Sequence, residues 1–145
     1  MKSTFLSLRQ LDTLQRIGDF MLPGASNMPS FSETDSLSFV DEILSETPEP
    51  DVKDLAMLLS VLAFLPGSVI AWLVKLAQRA DKFPGLLGGQ LRLLDLGLRG
   101  VIFSLYYSGK TGGQAKSASP LQAIGFELVC LAEPSPKNTL HENNL

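Results

Sequence analysis

The sequence is poor in the residues that build catalytic and metal sites. It has one histidine, His141, and one cysteine, Cys130, among its 145 residues. The histidine stands in a polar terminal stretch, which leaves no imidazole base for a serine or cysteine nucleophile. One cysteine with one histidine cannot form a zinc site of the usual type or an internal disulfide. We therefore expect a chain that is not an enzyme in its own right, with no catalytic residue, cofactor or metal.

Charge is scarce as well. Charged residues make up 19% of the chain and hydrophobic residues 45%, whereas an average soluble protein has about 25% charged residues. The net charge is −3 and the lysines and arginines are scattered, which argues against a nucleic-acid partner. A single domain of this length cannot bury all of its apolar side chains. The surplus favours an extensive contact with another protein or with a membrane.

Apolar residues recur at three- and four-residue spacing, which predicts an all-α fold of about five helices. We expect one helical domain over residues 1–131 and a polar, disordered tail over residues 132–145. Ser7 and Gln10 form the pattern of a capping box that starts the first helix. That helix is predicted to end at Leu22-Pro23-Gly24, since proline removes a backbone donor and glycine tolerates the turn.

The second helix is predicted to have a polar side chain as its N-cap and an apolar side made of Leu37, Val40, Ile43 and Leu44. An acidic, proline-containing linker is predicted to follow at residues 46–50. The candidate caps of the second helix are Ser32 with Asp35, or Ser36 alone.

The middle of the chain contains twenty residues without a charge, Leu55 to Val74. That length would satisfy a membrane span, but Pro66-Gly67 lies within it and is a turn signal. We therefore predict a central apolar helical hairpin made of Asp51 to Leu65 and Ser68 to Lys82. The alternative is a small membrane-associated protein with Leu55 to Val74 embedded in the bilayer.

A long helix is predicted from Gln90 to Ser108, followed by a mobile loop at residues 109–119 rich in Gly, Ser and Lys. Gly97 and Gly100 each lower helix stability relative to alanine, so we expect a close helix contact at these positions. Residues 120–131 form the last apolar segment.

The candidate partner-binding residues are aromatic or arginine side chains, the types that most often dominate interface energetics. The alternative for each of these residues is a role in packing inside the chain. They are Trp72, Arg99, Tyr106 and Tyr107.

Four short segments resemble one family. Ile17 to Gly24 and Leu37 to Leu44 resemble a helix ending in Leu-Pro-Gly and a second helix with a Phe-Val-Asp core. Leu98 to Ser108 is similar to the family's late helix with its aromatic pair, and Ser119 to Phe126 to its closing segment. The family is the small subunit of glucose–methanol–choline flavoprotein dehydrogenases, of the gluconate 2-dehydrogenase subunit 3 type. The same segments resemble the helical region that precedes the flavin domain of long-chain alcohol oxidases.

The resemblance covers roughly residues 8 to 131, and it implies a non-catalytic accessory subunit. Such a subunit would bind and stabilise a large FAD-dependent alcohol dehydrogenase or oxidase, and could cover its substrate entrance. The FAD would belong to the partner. The chain departs from the family in lacking an Arg-Arg export signal and in having Glu127 where a Pro-Gly-Pro is usual. We therefore expect a cytoplasmic location. If the chain associates with a membrane, we expect it to lie at the surface of the inner membrane.

Overall fold

The computed structural model describes residues 2–77, 86–116 and 119–126, and these residues confirm the all-α prediction. They contain no strand, only an isolated bridge between Ala25 and Met28. The α-helices are α1 (Leu8–Met21), α2 (Val40–Ser45), α3 (Glu49–Leu62), α4 (Gly67–Ala77), α5 (Leu86–Tyr106) and α6 (Pro120–Ala123).

The predicted capping box at the start of α1 is confirmed. The Ser7 side chain accepts from the Gln10 backbone N–H, and the Gln10 side chain accepts from the Ser7 N–H at 2.7 Å. The amide Nε2 of Gln10 also donates to the Ala56 carbonyl and to Ser60 Oγ, both at 2.8 Å. One side chain therefore caps α1 and joins it to α3.

The core lies where α1 packs against α3 and α4, and where α5 packs against α4 and α2. Helical spacing predicts an apolar stripe on α1 of Leu11, Leu14, Ile17 and Met21; the first three are buried and Met21 is partly buried. In the predicted core stripe of α5, the members with described side chains are buried: Leu98, Ile102 and Leu105. Five aliphatic side chains in this core have no exposed surface: Leu14, Ile17, Leu59, Ile102 and Leu105.

The second predicted helix is shorter and starts later than the sequence indicated. Ser32–Thr34 and Ser36–Phe39 are 3₁₀ turns, and α2 begins only at Val40. Asp35 separates the two turns with a left-handed backbone, φ 50°, and its carboxylate accepts from the Gln114 N–H at 3.2 Å. The predicted caps of this helix are therefore wrong, because the backbone leaves the helical region between them.

The break predicted at Pro66-Gly67 is confirmed: α3 ends at Leu62 and α4 begins at Gly67. The linker prediction was wrong at one end, because Glu49 and Pro50 belong to α3, where proline in the first turn costs no hydrogen bond. The two helices of the predicted hairpin each pack on α1. Residues 78–82 of its second arm lie outside the described part.

None of the helices in the described part of the chain combines the length and the apolar character that a membrane crossing requires.

The predicted close contact at Gly97 and Gly100 is wrong for the described atoms. A Cβ added at either glycine would meet nothing within 4 Å. The helix α5 also starts four residues before the predicted Gln90, so that Gly88 and Gly89 lie inside it. A glycine within a helix lowers the stability of that helix, but the sequence does not show which neighbour, if any, packs against it.

The predicted mobile loop after α5 is held against the 3₁₀ turns. The Gly112 N–H donates to the Thr34 carbonyl at 3.2 Å, and the Lys116 N–H donates to the Glu33 carbonyl at 2.9 Å. Gly112 approaches Asp35 so closely that a Cβ there would lie 2.0 Å from the carboxylate. The predictions for residues 127–131 and for the tail at 132–145 lie outside the described residues.

The segment after α1 folds back onto the helix it leaves. The Phe31 ring is buried against Gly18, where a Cβ would lie 2.2 Å from the ring. The Phe31 N–H donates to the Leu22 carbonyl at 3.0 Å, and the Ser32 N–H donates to Asp19 Oδ1 at 2.8 Å. Three residues of the segment Ile17 to Gly24, which resembles the family, therefore contact the chain as it folds back.

We predict that Gly18→Ala lowers the free energy of unfolding by about 1–3 kcal/mol, because the added methyl group overpacks the site of the Phe31 ring. Helix propensity alone predicts the opposite sign, a gain of about 1 kcal/mol. Urea denaturation of the two proteins measures the difference. Phe31→Leu in the same chain should make the glycine substitution less harmful, and a stabilised Gly18→Ala variant would contradict the packing argument.

The residues before α1 are tied down by one carboxylate. The Thr4 N–H donates to Asp41 Oδ2 at 2.7 Å, and Ser3 Oγ donates to Asp41 Oδ1. Although its partial burial raises the pKa of Asp41, the hydrogen bonds from Ser3 and Thr4 hold it below the ordinary value of 3.8. Because the pKa is lowered in the folded state, the stabilisation is present above the ordinary value and is lost as the pH falls through the folded pKa.

We expect the Thr4 amide proton resonance to titrate with a midpoint below 3.8, the ordinary pKa of the Asp41 side chain. Asp41→Asn should abolish this titration, whereas Asp54→Asn, at an exposed position on α3, should leave it unchanged. Two-dimensional NMR over an acid pH series measures both. A midpoint at or above the ordinary value would contradict the assigned hydrogen bonds.

Candidate partner-binding surface

Several large apolar side chains of the described structure are exposed, and two groups of residues follow helical spacing on α3 and on α5. We call the first group the α1–α3 surface: Leu8 at the start of α1 and Met57, Val61 and Phe64 along and just after α3. We call the second group the α5 face: Leu96, Gly100, Phe103 and Tyr107. Exposed apolar patches on a folded chain are typical of interaction sites.

The α5 face follows helical periodicity. Its four residues are spaced by four, three and four positions, so they form one stripe along the helix. Leu96 is 67% exposed and Tyr107 43%, and the Phe103 and Tyr107 rings meet edge to face with centroids 6.2 Å apart. No charged residue belongs to the stripe, so it offers an apolar surface to a neighbour.

Arg99 lies at the margin of the α5 face. Its Nε donates to the Asp95 carboxylate, with distances of 3.0 Å to Oδ1 and 2.9 Å to Oδ2. The arginine side chain is 40% exposed. Pairs of this kind, four residues apart on a helix, contribute only about 0.3–0.5 kcal/mol. The guanidinium group is therefore oriented by Asp95 and remains partly open to a further contact.

Tyr106 is buried, in contrast to its neighbour Tyr107. It is 1% exposed, and its hydroxyl donates to the Pro29 carbonyl at 2.5 Å. Burial raises its pKa, with smaller contributions from Tyr107 and Glu33. Both the ring and the hydroxyl are engaged inside the chain, so Tyr106 serves internal packing and is not part of the exposed surface.

Trp72 lies on the outer side of α4 and is 59% exposed. Val69, one turn earlier on the same helix, is also exposed. The structure therefore places three of the four candidate residues at the surface: Arg99 on α5, Tyr107 directly after it and Trp72 on α4. It does not bring all four together at one point.

The α1–α3 surface escaped the sequence analysis, although a signal for it existed. Met57, Val61 and Phe64 have helical spacing, but α3 is apolar on nearly every side, and its more leucine-rich side was the natural choice for the core. Leu8 lies in the first turn of α1. Leu8 and Phe64 of this surface line a cleft of about 480 Å³, and Arg9 and Asp12 line it as well.

Among the described side chains, no three His, Cys, Asp or Glu residues lie close enough together to hold a metal ion. Comparison with protein-family models, with curated proteins and with solved structures gave no match to this chain. The candidate function is therefore argued from the two exposed surfaces and from the residues that build them.

We predict that Tyr106→Phe lowers the free energy of unfolding by about 1–2 kcal/mol, because the buried Pro29 carbonyl would lose its donor. Tyr107→Phe is the matched control, and it should change stability by no more than about 0.5 kcal/mol, since that side chain is exposed. Thermal and urea denaturation measure both. Equal effects of the two substitutions would contradict the assignment of Tyr106 to the interior.

Proposed function

We propose that this chain is a non-catalytic small subunit that binds and stabilises a larger FAD-dependent alcohol dehydrogenase or oxidase. It makes that contact chiefly through the α5 face. The observation that carries the proposal is the combination, on the outer side of the longest described helix, of exposed apolar side chains with two glycines that no described atom approaches within 4 Å.

The two glycines support the proposal through their cost. Glycine in the interior of a helix lowers stability by roughly 0.5–1 kcal/mol relative to alanine. Gly97 and Gly100 lie in the last three turns of α5, and within residues 2–77, 86–116 and 119–126 no described atom lies within 4 Å of a Cβ built at either one. A partner whose backbone or side chains pack closely against α5 would explain why glycine stands at these two positions, which the contacts of the described residues do not explain.

Side chains around the glycines have the character of an interface. Phe103 and Tyr107 provide aromatic surface on the same stripe, and Arg99 stands at its margin with its Nε held by Asp95. Aromatic and arginine side chains are the types that most often dominate binding energy. Trp72 is an exposed anchor of the same kind on α4, the helix that packs on α5.

The class of partner comes from the resemblance to the small subunits of glucose–methanol–choline flavoproteins. The first segment that resembles the family stabilises the fold through Gly18, Asp19 and Leu22. These residues contact the Phe31 ring or accept hydrogen bonds from the Phe31 and Ser32 N–H groups. The late segment, residues 98–108, runs through the α5 face. In this proposal the partner holds the FAD and oxidises an alcohol, while this chain covers part of its surface.

The proposal predicts opposite effects of one substitution on two properties. Gly97→Ala and Gly100→Ala should each raise the stability of the isolated chain by about 0.5–1 kcal/mol, because alanine favours the helix and finds open space. The same substitutions should weaken the complex by about tenfold or more, because the added methyl groups hold the partner away from α5. Denaturation of the isolated chain and affinity purification of the tagged chain from its native cells measure the two.

A stoichiometric flavoprotein, identified by mass spectrometry and flavin absorbance, is the expected companion in that purification. Gly113→Ala is the matched control, since its Cβ would also meet nothing within 4 Å but it lies in the loop after α5. A colourless eluate from the wild-type chain, with the chain itself recovered in the membrane pellet, would contradict the proposed function. Unchanged recovery of the flavoprotein with both alanine variants would contradict the choice of the α5 face.

A further inference from the structure

The α1–α3 surface is a second exposed apolar area, which the proposed function does not use. Phe64 is the most exposed large hydrophobic residue of the described chain, at 81%, and Leu8 follows at 69%. Both line the cleft between the start of α1 and the end of α3. Met57 and Val61, one and two turns before Phe64, extend the same surface along α3.

The rim of the cleft carries opposite charges. Arg9 and Asp12 both line it, both are exposed, and they stand three residues apart on α1. Neither forms an ion pair with another described residue. The surface thus presents a cation and an anion, each without a partner among the described residues, beside an uncovered aromatic ring.

This arrangement is self-complementary. In a two-fold interface the same surface meets itself, so that residue i contacts residue j of the other copy and j contacts i. Arg9 of one copy would face Asp12 of the other, and the reverse pair would form at the same time. The cleft of each copy would receive the exposed Phe64 ring of the other. Charges arranged in this way set register and orientation more than affinity, which would come from the apolar contacts.

We propose that the α1–α3 surface binds the same surface of a second copy of this chain. The occupant is chosen on charge complementarity: by symmetry a second copy offers Asp12 to Arg9 and Arg9 to Asp12 at the same time, whereas a partner of one sign would repel one of them. The inference does not depend on the flavoprotein contact at the α5 face. Together the two contacts would give an assembly with two copies of each subunit.

Charge reversal tests the reciprocal pairing in the purified full chain. Arg9→Asp and Asp12→Arg should each weaken the dimer by at least about tenfold, because like charges would then face each other twice across the two-fold axis. The double variant should restore the dimer, since it recreates both pairs with exchanged signs. Sedimentation equilibrium over a concentration series at low ionic strength gives the dissociation constants, and circular dichroism shows that each variant is folded.

Phe64→Ser tests the apolar part and should weaken the dimer by about tenfold to a hundredfold. Glu46→Lys is the control for Asp12→Arg, because it changes the net charge by the same amount at an exposed site next to α2 and should leave the dimer unchanged. A wild-type chain that stays monomeric at every concentration would overturn the proposal. So would a double variant that is as weak as the two single ones. Loss of the dimer with retained flavoprotein binding would show that the two contacts are separate.

Discussion

The contact between the Phe31 ring and the backbone of α1 at Gly18 determines how the first third of the chain is arranged. The ring takes the space in which any other residue's Cβ would stand, so the segment after α1 returns close enough for the Ser32 N–H to reach Asp19. The returning segment brings Pro29 to the hydroxyl of Tyr106. Its 3₁₀ turns then provide the carbonyls that hold the loop after α5. A glycine and an aromatic ring thus connect α1, the turns and the end of α5.

Local signals in the sequence predicted the parts of the fold that are determined locally. The capping box of Ser7 and Gln10 and the turn at Pro66-Gly67 depend on residues within one helical turn, and both were predicted correctly. Element ends such as the start of α3 at Glu49 were placed a few residues off, and the larger failures involve residues distant in sequence. Asp35 adopts a left-handed backbone and accepts from Gln114, 79 residues away. Spacing and propensity contain no information about such a pair, so they predicted a helix cap and a mobile loop instead.

At the candidate site, too, the sequence predicted only part of the arrangement. Residue type identified interface candidates, but it did not show which of them are exposed. Tyr106 and Tyr107 are adjacent and of the same type, yet one is buried and the other is exposed. Neighbouring residues on a helix point about 100° apart, so an aromatic pair at the edge of the core must divide between inside and outside. Residue type identified both as interface candidates, and only the position of α5 in the fold distinguishes them. Gly97 and Gly100 pose the same problem, because glycine shows that a close approach is possible without showing from where.

The two exposed surfaces differ in the kind of neighbour that they can select. The α5 face has no charge within it, and Arg99 at its margin already pairs with Asp95, so shape and apolar area must determine what binds there. The α1–α3 surface has Arg9 and Asp12 on its rim with no ion pair to a described residue. A partner of one sign would be repelled by one of the two residues, whereas a second copy related by a two-fold axis offers the opposite sign to each of them. In the two proposals the low charge of the chain has two consequences: the α5 face has no charge to restrict a different protein, and the α1–α3 surface has one opposed pair that a second copy would match.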